Sequence, residues 1–164
     1  MTDRHAYSRR SLDPFDRAIL RIIQRDNKTP QRMIADAVNL STAAVQRRIA
    51  AMEAAGIIAQ NVAIIDPDTI PFAITAIVEV HLRDERAATV DPAKALFSET
   101  PEVQQCYYVT GGTSFVLIIV TSDIHAYEAL TRKLFATNDL VHRYRTLIVL
   151  DRVKAATEIV IPEA

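Results

Sequence analysis

Apolar residues recur at helical spacing through the first third of the chain and at alternate positions through most of the rest. Phe15, Ala18, Ile19, Ile22 and Ile23 form one stripe of the kind that faces a core from a helix. Asp13 stands at the N-cap of that helix and Pro14 at its first turn, where a missing N–H costs nothing. The stripe ends at Asp26-Asn27. Thr29-Pro30 repeats the start signal and opens a second helix with Met33, Ile34, Ala37 and Val38 inward, which stops near Asn39. Ser41 caps a third helix whose core positions are Val45, Ile49 and Met52, and Gly56 takes the C-terminal glycine position. The β-branched segment Ile57 to Ile65 reads as a strand or wing.

The period changes after a connector over residues 66–71. From Phe72, the residues Ile74, Ala76, Val78, Val80 and Leu82 fall on one side of a strand, with Thr75, Glu79, His81 and Arg83 on the other. Asp91-Pro92 predicts the start of a helix carrying Ala93, Leu96 and Phe97. Val103 to Thr110 is a strand, Gly111-Gly112 a turn, and Phe115 to Thr121 a continuous apolar strand that implies cover on both faces. Asp123 caps a helix with Ile124, Tyr127, Leu130 and Leu134 inward. Arg143 to Leu150 is the last full strand, and Thr157 to Ile161 reads as a short extra one. The order βαββαβ is that of a ferredoxin-like unit. The fold class is therefore α+β: an N-terminal winged helix-turn-helix over residues 1–65, with a flexible arm at 1–11, then a ferredoxin-like domain over 66–164. Both helices of that domain belong on one sheet face. Another copy of the same sheet is the expected cover for the other, which predicts a dimer or larger assembly.

Two short helices joined by about three residues fit a helix-turn-helix, in which the second helix enters the major groove. The core positions of the third helix leave Thr42, Ala43, Gln46, Arg47 and Ala50 outward. Gln46 suits adenine and Arg47 guanine, through paired hydrogen bonds. Small Ala43 and Ala50 let the backbone approach. Arg48, to the side, suits a phosphate, as does the start of the second helix with Thr29, Gln31 and Arg32, and Ser41 at the head of the third helix belongs to the same DNA-binding set. The same pattern also fits a three-helix piece with a solvated polar face. Charge adds to the first reading. Residues 1–65 carry 10 Lys and Arg against 6 Asp and Glu, whereas the remainder of the 164-residue chain is acidic and brings the net charge to −1.

Composition excludes several classes. No stretch of about 18 uncharged apolar residues is present to cross a membrane. The start of the chain, polar and basic, does not read as a secretory leader. A single cysteine, Cys106, excludes an internal disulfide framework and fits a reducing, cytoplasmic setting. Four scattered histidines give no metal-ligand spacing, and no phosphate-binding loop or nucleophile motif occurs. No cofactor or metal is expected.

The runs at Leu12 to Leu20 (L-D-x-x-D-x-x-I-L) and Ser41 to Ile58 (S-x-x-x-V-x-x-R-I-x-x-M-E-x-x-G-I-I) resemble the Lrp/AsnC, or feast/famine, transcription regulators. The stretch from Val103 to Phe115 is similar to that family's strand, turn and strand before its effector site. The resemblance implies DNA binding, assembly of dimers into tetramers or octamers, and an amino-acid effector held near the turn Thr110, Gly111, Gly112, Thr113 and Ser114. Ser114 and Gly112 stand where the family usually or often has aspartate, so the carboxylates that would meet an ammonium group are missing from the turn. A rival class is the Lrp-like tetrapyrrole (sirohaem) decarboxylases, for which His142, Tyr144 and Arg145 would be the candidate residues. Arg143 and Arg145 share a strand face, where they either hold an anion or pair with Glu79.

Overall fold

The computed structural model describes residues 11–66, 69–70 and 73–163. The arm arginines 4, 9 and 10, and Pro67, Asp68, Pro71 and Phe72 of the connector region, lie outside these residues. The chain divides into two compact units. The first holds the described residues up to Ile64 together with those from Ala155 onward, and the second is Ile65–Lys154.

Three helices form the first unit: α1 (Pro14–Ile23), α2 (Gln31–Val38) and α3 (Thr42–Ala54). The Asp13 carboxylate accepts from the Asp16 N–H at 2.8 Å, and Asp16 reaches back to the Asp13 N–H, a reciprocal cap that fixes where α1 begins. Ser41 Oγ accepts from the Ala44 N–H at the start of α3. Between α2 and α3, Asn39 takes the left-handed conformation (φ 55), which an Asn tolerates better than most residues. Ile19, Ile34, Val45 and Met52 are the fully enclosed centre, with Ile49, Ile57 and Ile58 packed around them.

Four expectations change here. Thr29 does not cap α2; its hydroxyl donates to the Asp26 carbonyl, and Pro30 is the N-cap residue. On α2 the buried set is Ile34, Ala35 and Val38, while Met33 and Ala37 face outward. Ile57 to Ile65 forms no strand, because no described strand lies alongside to complete a ladder. Thr157 to Ile161 is likewise not a strand. The final segment lies along α1, where Arg21 donates to the Ile161 carbonyl at 3.1 Å and the Pro162 carbonyl at 2.9 Å, and Gln24 exchanges two hydrogen bonds with Ile159.

The second unit is a four-stranded antiparallel sheet in the order β2-β3-β1-β4: β1 (Ile74–Leu82), β2 (Val103–Tyr108), β3 (Phe115–Thr121) and β4 (Val141–Ile148). Helices α4 (Ala87–Glu99) and α5 (Ile124–Thr131) belong to this unit, the latter running into a single π-helical turn at Arg132–Ala136. Inward residues alternate as expected, with Ala76, Val78 and Val80 on β1 and Phe115, Leu117 and Ile119 on β3. Phe97 sits edge-on to Phe115 and Phe135, at 5.2 and 6.0 Å between centroids. Helix α4 starts at Ala87, before the expected Asp91-Pro92, and carries Pro92 inside it. Asp84 secures this earlier start by accepting from the Arg86 N–H. Asp123 caps α5 through the Ala126 N–H as expected, but Ile124 is half exposed instead of inward.

Candidate DNA-binding surface and effector pocket

The outward side of the first unit gathers most of the residues singled out for DNA. Ser41, Thr42, Ala43, Gln46, Arg47 and Ala50 are all exposed along the first turns of α3, opposite the buried Val45 and Met52. Gln31 and Arg32 are exposed at the start of α2, three connecting residues upstream of α3. Short polar and small side chains at the tip of α3, followed by an amide and a guanidinium one turn on, can present paired donors and acceptors to base edges.

Arg48 is placed differently from the expectation. Its guanidinium turns inward, 2.6 Å from an Asp13 oxygen and 2.8 Å from an Asp16 oxygen, and lies 5.4 Å from the centre of the Phe15 ring. Asp16 is 1% exposed, so this cation neutralises a carboxylate taken out of water. The cluster raises the affinity of Arg48 for its proton. The Asp16 N–H, helped by Arg48, lowers Asp13 below its ordinary value of 3.8. Arg48 therefore locks α3 to the start of α1, with its Nη1 donating to both carboxylates. The signal was in the spacing: position 48 lies three residues after Val45 and four before Met52, on the inward face.

In the second unit the sheet face away from α4 and α5 has two halves. Ile77, Val116, Ile118, Val120 and Leu147 make one half apolar. At the other end Glu79 stands directly opposite Arg145, and His81 opposite Arg143, on neighbouring strands. These four residues, with Gly111, Gly112, Thr113 and Tyr144, line a pocket of about 370 Å³. Gly111 and Gly112 have φ of +112 and +95, a conformation that needs glycine, and the space beside each Cα is open. The Val109 N–H donates to the Ser114 carbonyl and closes the turn.

Of the five turn residues expected at an effector, Gly111, Gly112 and Thr113 line this pocket, and Thr110 and Ser114 do not. Ser114 is buried. Its hydroxyl accepts from the Leu82 N–H at 3.0 Å and donates to Glu85 at 2.5 Å, which satisfies it internally. Tyr108 donates to the same Glu85 carboxylate, and this bond pushes its phenol above the ordinary range. The pairing register missed by sequence reasoning is what brings His81 and Arg143 to the pocket. Of the residues suggested for a decarboxylase, Tyr144 and Arg145 turn their side chains to opposite faces of the sheet. The Tyr144 ring packs on Phe135 at 4.8 Å, on the helix side, whereas Arg145 points with Glu79 to the open face. Cys106 is partly buried, which raises its thiol above the ordinary value, as suits a packing residue.

Residues 12–59 match the winged helix-turn-helix DNA-binding model, and residues 75–159, more than half of the chain, match the Lrp/AsnC ligand-binding domain. The chain belongs to the Lrp/AsnC family. It is similar to an HTH-type transcriptional regulator of Sinorhizobium fredii, with 40% identity over 88% of this chain and 85% of that one. The solved AsnC family regulator of Agrobacterium tumefaciens superposes with a TM-score of 0.82 at 30% identity, covering 90% of this chain and 96% of the other. A regulator from Neisseria meningitidis, solved with L-methionine, also gives 0.82, at 25% identity over 91% and 96% of the two chains. This Lrp/AsnC member is accordingly a DNA-binding transcription regulator, and nothing in the comparisons favours the decarboxylase alternative. No described helix is long and apolar enough to cross a membrane.

Proposed function

We propose that this regulator reads operator DNA through the first turns of α3 and adjusts its assembly to a small amino-acid-like metabolite bound at the Gly111-Gly112 turn. The observation that carries the proposal is the division of α3. One side is sealed in the core by Val45 and Met52, and the other presents Thr42, Ala43, Gln46 and Arg47 to solvent. Gln46 and Arg47 read bases, while Ser41, Gln31 and Arg32 hold phosphates. Arg48 is left out of that set because Asp13 and Asp16 occupy it.

The apolar half of the open sheet face supports self-association, since Ile77, Val116, Ile118 and Leu147 gain from leaving water. A two-fold dimer sets two copies of α3 on two half-sites. A metabolite can then act only by binding one arrangement of the copies better than another. The L-methionine complex of the Neisseria relative supports an amino acid as the class of effector.

The test is fluorescence anisotropy on DNA from upstream of the protein's own gene, beside a scrambled duplex, across a salt series. The expected result is a preference for the upstream duplex, with affinity falling steeply as salt rises. Equal, weak binding to both duplexes at low salt would remove the sequence-reading role from α3.

A further inference from the structure

We infer that the effector is an acidic amino acid, carrying two carboxylates and one ammonium group, in preference to a neutral aliphatic one. This inference rests on the turn pocket being the effector site. Its warrant is the chemistry of the lining. Arg143 and Arg145 supply two permanent positive charges and Glu79 one negative charge, so these three side chains leave a surplus of one positive. A neutral zwitterion leaves that surplus uncompensated, and a ligand of net charge −1 cancels it.

The disposition of the groups agrees. Glu79 and Arg145 approach only to 3.7 Å, with their side chains 33% and 69% exposed, so each keeps capacity for a ligand. No carboxylate among the described residues pairs with Arg143. The N–H groups of Gly111, Gly112 and Thr113 take no internal acceptor among the described residues, and they add donors at the pocket edge. None of this chain's lining residues has an aliphatic side chain, and the Tyr144 ring is committed to Phe135, so the lining itself favours polar ligand groups. The two guanidiniums take the two carboxylates, and Glu79 takes the ammonium group.

Calorimetric titration of the full-length protein with L-glutamate, L-aspartate, L-glutamine and L-leucine tests this. L-Glutamate or L-aspartate is expected to bind at least tenfold more tightly than L-glutamine, with L-leucine weaker still. Arg143→Gln is expected to lower affinity for the acidic amino acid tenfold or more while leaving that for L-glutamine unchanged, a split that misfolding would not produce. L-Glutamine or L-leucine binding as tightly as L-glutamate, and weakened by Thr113→Val, would overturn the acidic class and leave the pocket as the effector site. No heat from any of the four at millimolar concentration would overturn the pocket as an amino-acid site along with the inference.

Discussion

Replacing Arg48 by methionine separates a structural arginine from a DNA-reading one. Methionine keeps the apolar stem and removes the guanidinium that sits between Asp13 and Asp16. Removing one partner of a buried ion pair costs about 3–5 kcal/mol. Here only Asp16, at 1%, is fully enclosed; the side chains of Arg48 and Asp13 are 24% and 42% exposed. Water screens that outer part of the cluster, so the expected loss is about 2–3 kcal/mol. For a unit of this size that lowers the thermal midpoint by roughly 10–20 °C. Circular dichroism at 222 nm follows the melt, and anisotropy on operator DNA at a temperature where both proteins are folded follows binding. Arg47→Met, on the exposed side of α3, is the control, expected to melt within a few degrees of the parent and to lose base preference. Asp16→Asn combined with Arg48→Met should cost less than the two single changes added together, because the pair is then removed as a unit. An Arg48→Met protein that melts with the parent yet binds every duplex more weakly would refute the inward assignment and restore Arg48 as a phosphate contact.

Three further outcomes follow from the geometry. Asp13 titrates below its ordinary 3.8 in the folded chain, so its contribution to stability is present above that pH and is lost as pH falls through the lower folded value. Urea midpoints measured from pH 5 down to pH 2 should decline over that range, with a shallower decline in Asp13→Asn. Gln46→Ala and Arg47→Ala should each relax discrimination at one base by about 1–3 kcal/mol without altering the melt, read by competition with single-base operator variants. Phe97→Ala removes a fully buried ring that meets both Phe115 and Phe135 and should destabilise the second unit by about 3–5 kcal/mol, measured by chemical denaturation.

Local signals were legible in the sequence and long-range ones were not. Asp13 and Ser41 announce their helices because a cap bonds to an amide only three residues away. Gly111 and Gly112 announce their turn because few other residues accept that backbone. Pro92 misled for the opposite reason: it read as a helix start, whereas Asp84 and the packing of Val90 and Ala93 begin the helix a turn earlier. Ile57 to Ile65 has strand composition, but composition cannot supply a neighbouring strand. Three of the five expected turn residues line the pocket, yet that pocket depends on β1 and β4 pairing Glu79 with Arg145 and His81 with Arg143. That register is fixed by contacts some 60 residues apart. The burial of Ser114 was not legible because its partner, Glu85, comes from a loop 29 residues away.

The return of the last residues to α1 makes the second unit topologically an insertion. The polypeptide leaves the DNA-binding unit after Ile64, completes the whole sheet domain, and comes back at Ala155 to finish the unit it started. An excised head ending at Ile64 would therefore lack the carbonyls that occupy Arg21 and the partner that satisfies Gln24. A faithful isolated head has to carry residues 155–163 spliced back by a short linker. In the same way, a nonsense change at residue 155 would spare the sheet domain and strip from α1 the carbonyls that Arg21 and Gln24 hold.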